Sequence, residues 1–160
     1  VYYGLNAFDS ASGKPRWKNR FVATNIQGTA PTGRGGSHGE QWQHPVVIGD
    51  NVYLRPYGFD LATGEKLPYH LYRGGHGCGG LTGSARFLFG RGDNPRIYPL
   101  DVPATHGIRL SLATRPGCYL NVIPAGGLVL VPESSAGCTC SYPIQTSVVF
   151  VPKNLSGAPF

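Results

Sequence analysis

The sequence predicts an all-β chain built of blade-like antiparallel sheets, and three observations predict it. The first is a repeat. The stretch Tyr57-Gly58-Phe59-Asp60-Leu61-Ala62-Thr63-Gly64-Glu65-Lys66 has an upstream copy running from Tyr3 to Lys14, which ends Asp9-Ser10-Ala11-Ser12-Gly13-Lys14. In each copy a short apolar strand meets an aspartate whose carboxylate can cap a tight turn. The glycine four residues later, Gly13 or Gly64, can take the left-handed conformation that closes a hairpin. A third candidate, Asp101, follows Ile97-Tyr98-Pro99-Leu100, so the aspartates stand 51 and then 41 residues apart. The second observation is that spacing, because units repeating at roughly 40 to 50 residues are the signature of a β-propeller of four-stranded blades. The third is punctuation: 24 glycines and 14 prolines separate β-rich runs such as Leu128-Val129-Leu130-Val131 and Ser147-Val148-Val149-Phe150-Val151, as turns between short strands do.

Taken in order, residues 1–24 hold the last strands of a blade: Val1 to Tyr3, Leu5 to Phe8, the Asp9 turn and Arg16-Trp17-Lys18. Residues 25–43 read as a long Gly-rich loop, with almost nothing to bury between Gly28 and Gly39. Residues 44–73 make the clearest blade, with strands at Val46 to Ile48, Val52 to Leu54, Tyr57 to Leu61 and Leu67 to Tyr72. Residues 78–113 supply Gly80 to Gly83, Arg86 to Phe89, Arg96 to Leu100 and Ile108 to Leu112. Residues 117–153 supply Cys118 to Ile123, Leu128 to Val131 and Ser147 to Val151. The total is about three and a half blades, short of the roughly four to eight that close a ring. The chain enters within a repeat and contains no methionine. It is therefore expected to be part of a longer protein.

The formal net charge of +6 is spread along the chain without a run of five like charges, which argues for solvated surface and against a nucleic-acid stripe. No apolar run approaches the roughly 18 residues that a membrane helix needs. The even set of cysteines, Cys78, Cys118, Cys138 and Cys140, predicts disulfides and a periplasmic or extracellular location. A direct bridge between Cys138 and Cys140 would close a strained ring, so each is expected to pair with Cys78 or Cys118. Those two each follow a glycine and stand 40 residues apart, equivalent places in adjacent blades. A four-cysteine zinc site and reactive thiols are the alternatives.

The pattern Ala7-x-Asp9-x-x-Ser12-Gly13-x-x-x-Trp17 resembles the tryptophan-docking motif of the PQQ-like, quinoprotein-type β-propeller repeat family. That resemblance implies that Ala7 and Trp17 serve blade packing. The Asp60 copy departs from it, with Gly58 in place of alanine and Pro68 in place of tryptophan. A second resemblance, to a C-terminal region of exported bacterial members, rests on His76-Gly77-Cys78-Gly79, the Arg86 to Phe89 strand, Arg115-Pro116-Gly117-Cys118, Ile123-Pro124-Ala125-Gly126-Gly127 and Gly137-Cys138-Thr139-Cys140-Ser141-Tyr142 with Gln145-Thr146-Ser147. Together they imply a propeller ectodomain.

Candidate chemistry is sparse. His38-x-Glu40-x-x-x-His44 could supply metal ligands, with His70 and His76 as additions, but the spacing falls in a loop and sets no common face. Histidines hydrogen-bonded within the propeller are the simpler reading, and no metal is assigned. Pyrroloquinoline quinone with calcium needs an aromatic platform, cationic side chains and acidic ligands. Only eight acids are present, three of them assigned to turns, while Arg73, Arg115 and Glu133 could face a channel. No catalytic residue is assigned. The expected function is a non-catalytic exported propeller segment, a scaffold or interaction surface joined to the remainder of a larger propeller or to another protein chain. The alternative is a part of a periplasmic PQQ-dependent dehydrogenase.

Overall fold

The computed structural model describes residues 2–22, 43–72, 79–92, 94–117, 122–133 and 146–153. The expected loop at 25–43 lies almost wholly outside these. Among the described residues, the regular elements are strands in four small sheets, none closed on itself. No helix among them is long and apolar enough to cross a membrane.

Strands β1 (Tyr2–Phe8) and β2 (Pro15–Val22) form an antiparallel hairpin. Its turn is built by Asp9. One carboxylate oxygen accepts hydrogen bonds from the Ala11 and Ser12 amides at 3.2 and 2.9 Å and from the Ser12 hydroxyl at 2.8 Å. Gly13, at φ 67°, donates its amide to the Asp9 carbonyl. The second sheet repeats this device. Strands β3 (Val46–Ile48), β4 (Asn51–Leu54), β5 (Tyr57–Asp60) and β6 (Lys66–Leu71) pair in sequence order. Between β5 and β6, Asp60 accepts from the Ala62 and Thr63 amides and the Thr63 hydroxyl, and Gly64 takes φ 75°. Donation by the Ser12 and Thr63 backbone and hydroxyl groups favours the ionised carboxylates and holds both aspartates below their ordinary value.

The third sheet contains β7 (Thr82–Gly83), β8 (Phe87–Gly92) and β9 (Asn94–Pro99). The third repeat turn differs. Thr105 stands where the first two copies have glycine, and Pro103 interrupts the turn, so the hairpin does not close. The chain instead runs across to the second sheet as β10 (Ala104–Thr105), parallel to β6, where the His70 amide donates to Pro103 and the Tyr72 amide to Thr105. Gly107, at φ 72° and with Tyr98 where a Cβ would stand, turns it back to β11 (Ile108–Arg109) beside β9. The second sheet therefore has a fifth, parallel strand that a plain four-stranded blade lacks, and β11 is shorter than the expected Ile108 to Leu112. The fourth sheet contains β12 (Ile123–Ala125), β13 (Leu128–Val131) and β14 (Val148–Phe150). Most of the strand expected from Cys118 lies outside the described residues.

Alternation along the strands gives three seams. Leu5, Val52, Leu54 and Phe59 are buried between the first two sheets, with the partly buried Trp17 and Phe21 packed against them. Tyr53, Tyr69, Leu71, Leu81, Leu88 and Tyr98 fill the next, and Phe89, Val122 and Val131 the last. Val52 and Leu54 serve the first seam while Tyr53 between them serves the second, the period-two signature of a strand covered on both faces.

At the first seam Trp17 donates its indole N–H to the Leu61 carbonyl at 3.0 Å, and its ring covers Gly64 so closely that a Cβ there would lie 2.6 Å from the ring. Gly13 has a similar backbone and open space around it. Gly13→Ala should therefore cost only the left-handed backbone penalty, about 1 kcal/mol. Gly64→Ala should add displacement of the indole, for a total of about 3 kcal/mol. Urea unfolding of the two variants checks this, and equal losses would show that the indole does not bear on Gly64.

Candidate functional site

The sequence-derived candidates fall into three groups. Cys78, Cys118, Cys138 and Cys140, with His38, Glu40, Arg73 and His76, lie outside the described residues. His44 is exposed just ahead of β3. Asp9, Gly13, Asp60 and Gly64 form the turns described above, while Ala7 is the cross-strand partner of Trp17. Among the described residues, no three His, Cys, Asp or Glu side chains gather as a metal site.

The structure instead assembles two features from residues far apart in the chain. The first is a row of rings. Phe21 meets Tyr57 edge-on at 5.5 Å, and Tyr57 meets His70, its partner across β5 and β6, at 5.3 Å. His70 stacks on Tyr72 at 4.2 Å, and Tyr72 stacks on His106 at 4.7 Å. His70 and Tyr72 share a face because they are two residues apart on an extended chain. His106 arrives only because β10 crosses to β6. The Lys66 ammonium sits 3.6 Å from the Tyr57 ring centre, a cation–π contact. Burial, then the Lys66 charge, lowers the His70 pKa from its ordinary 6.5. Such a row offers flat, partly exposed π faces and two imidazoles to whatever docks on it.

The second feature is buried positive charge. Arg55, Arg91, Arg96 and Arg115 are all buried, although arginine is among the residues least often enclosed. They gather around one end of the sheets. Arg55 stands at the turn between β4 and β5, and its Nη2 lies 3.2 Å from where a Gly90 Cβ would be. Arg91 precedes the β8–β9 hairpin tip, and the Asn94 side chain across that tip donates to the Thr114 carbonyl at 3.1 Å, beside Arg115.

Arg96 and Arg115 differ in how they are held. Arg96 is a clasp, its Nε donating to Gly92 and its Nη1 to His106 and Gly107 carbonyls. Arg115 is only 2% exposed, and its Nε, Nη1 and Nη2 are all enclosed with no hydrogen-bond partner. The neighbouring Thr114 hydroxyl and, at the same end of the second sheet, both polar atoms of the Gln43 amide are likewise enclosed and unpartnered. Stripping a buried ion of its partner typically costs about 3–5 kcal/mol. Arg115 stands in that condition.

Composition gives only a partial signal for this end. Ten arginines against eight acids announce excess charge, but nothing local marks which arginines the seams enclose. Comparison with family models, curated proteins and solved structures finds no match to the chain.

Because the folded protein holds His70 more weakly protonated than the unfolded chain does, stability should fall as pH drops below 6.5 and the unfolded state takes up the extra proton. Unfolding midpoints of wild type and His70→Gln, measured across that range, check this. The wild type should lose stability more steeply on acidification, and parallel curves would mean that His70 carries no linkage.

Proposed function

We propose that the chain is a non-catalytic segment of an exported, PQQ-like propeller, working as a scaffold that joins the remainder of a larger propeller or another protein chain. The observation that carries this reading is the outer face of the fourth sheet. Ile123, Leu130 and Val149 are register partners across β12, β13 and β14, on the side opposite the seam formed with Phe89. Ile123 and Leu130 are half-buried and Val149 is 54% exposed. The outer face of the first sheet is mixed, with Asn6, Lys18 and Arg20 beside the exposed Phe8. An apolar row spanning three strands is what the inner seams present to one another, and it fits a further sheet laid on it in the same manner.

The turn aspartates support the same reading, since their carboxylates are engaged with backbone amides and serve shape. Disulfide stapling through Cys78, Cys118, Cys138 and Cys140 belongs to this proposal, as does the extracytoplasmic location. The purified chain, studied without reductant, should associate through the apolar row, its mass by light scattering rising with concentration. Val149→Glu should return it to a monomer. A wild type that stays monomeric at every concentration, and releases a quinone-sized mass with calcium on denaturation in mass spectrometry, would replace the scaffold by the dehydrogenase reading.

A further inference from the structure

We infer that the enclosed guanidinium of Arg115 is the anchor of a binding site for a small oxyanion, a carboxylate or a phosphate. This assignment does not depend on the scaffold reading or on the propeller family. It rests on three observations.

The first is geometric. All three nitrogens of Arg115 are enclosed and none has a hydrogen-bond partner, so a planar fork of up to five N–H donors is held in place and left unused. Arg96 shows how the same fold handles an arginine of purely structural use, since its Nε and Nη1 reach three backbone carbonyls. The second is charge. Arginine stays protonated when it is buried, so the enclosed cation cannot escape its cost by losing a proton. Eight acids are present in the chain, and the six among the described residues, Asp9, Asp50, Asp60, Glu65, Asp101 and Glu133, are all at least partly exposed. No described carboxylate is buried, so none is enclosed with Arg115. The third is the company Arg115 keeps. Thr114, the preceding residue, also has an enclosed hydroxyl that lacks a partner, a second unused donor at this point of the chain. A bidentate oxyanion would satisfy the fork that the protein leaves open.

Chloride, acetate, succinate and phosphate at matched ionic strength are the probes. Thermal unfolding of the wild type should shift upward by roughly 5 °C or more at about 100 times the dissociation constant of the oxyanion that fits, and not with chloride. Acetate and succinate against phosphate separate the two sources of the chemistry. Arg115→Leu should abolish the oxyanion shift. It should also raise the unfolding temperature in oxyanion-free buffer, because an unpaired buried charge is replaced by an apolar group. Arg115→Lys, which keeps the charge and loses the fork, should weaken the shift. Should neither variant fold, the arginine Nε–Hε NMR signals of the wild type give the answer alone, since one enclosed signal should move on titration with the fitting oxyanion. No oxyanion-specific response in the wild type overturns the assignment. So does a response that survives in Arg115→Leu. A fall in the oxyanion-free unfolding temperature of Arg115→Leu, matched by Asp93→Asn or Glu40→Gln, overturns it as well, by showing that the chain supplies its own counter-ion.

Discussion

Everything in this chain depends on sheets having somewhere to put both faces. A strand of alternating side chains buries one set on each side, and in the second sheet Val52, Tyr53 and Leu54 are all enclosed because each face has a neighbour. That arrangement requires the backbone of one sheet to come close to the side chains of the next. The approach is tightest where Trp17 lies on Gly64. There one glycine closes its own hairpin by adopting a positive φ, and its missing Cβ admits the indole of the preceding sheet. Turn chemistry and packing between sheets are thus fixed by the same residue, so a change that breaks the turn also loosens the seam.

The same dependence explains why the third repeat rearranges. Without a glycine at position 105, the chain cannot reverse on the spot, and the shortest way to satisfy its backbone amides and carbonyls is the free edge of β6. The edge of the second sheet is thereby covered, which a bare four-stranded blade leaves open. The crossing also brings His106 over Tyr72, extending the ring row beyond one sheet. A local failure of turn chemistry has produced both an edge cover and a composite surface.

Legibility followed locality. The all-β class and the repeating turns could be read from Asp9 to Gly13 and Asp60 to Gly64, because capping and a left-handed glycine are decided within five residues. The fifth strand has no local signature, although its cause, Thr105 in place of glycine, is present in the sequence. Its destination was a register on another sheet, and two-residue strands have no periodicity to detect. The ring row was half visible, since the two-residue spacing of His70 and Tyr72 places them on one face, while His106 had no sequence relation to them. The buried arginines were the least legible. Arg96 and Arg109 are register partners across β9 and β11, yet Arg96 is enclosed and Arg109 exposed, and only the position of the next segment decides between them.

A fold held together by apolar seams gains little from enclosing arginines, and where one is needed as a clasp the backbone supplies the acceptors, as it does for Arg96. The turn carboxylates stand away from these arginines, at the far ends of the strands, where one oxygen of each accepts the Ser12 or Thr63 amide. Among the described residues the acids lie at the turns and at the surface, and the buried cations lie around the opposite strand ends, by the β4–β5 turn and the β8–β9 tip. The two ends treat charge differently: at the Asp9 and Asp60 turns the carboxylate is used by the hairpin it closes, while at the other end Arg96 finds its acceptors in backbone carbonyls and Arg115 keeps an enclosed fork with no partner.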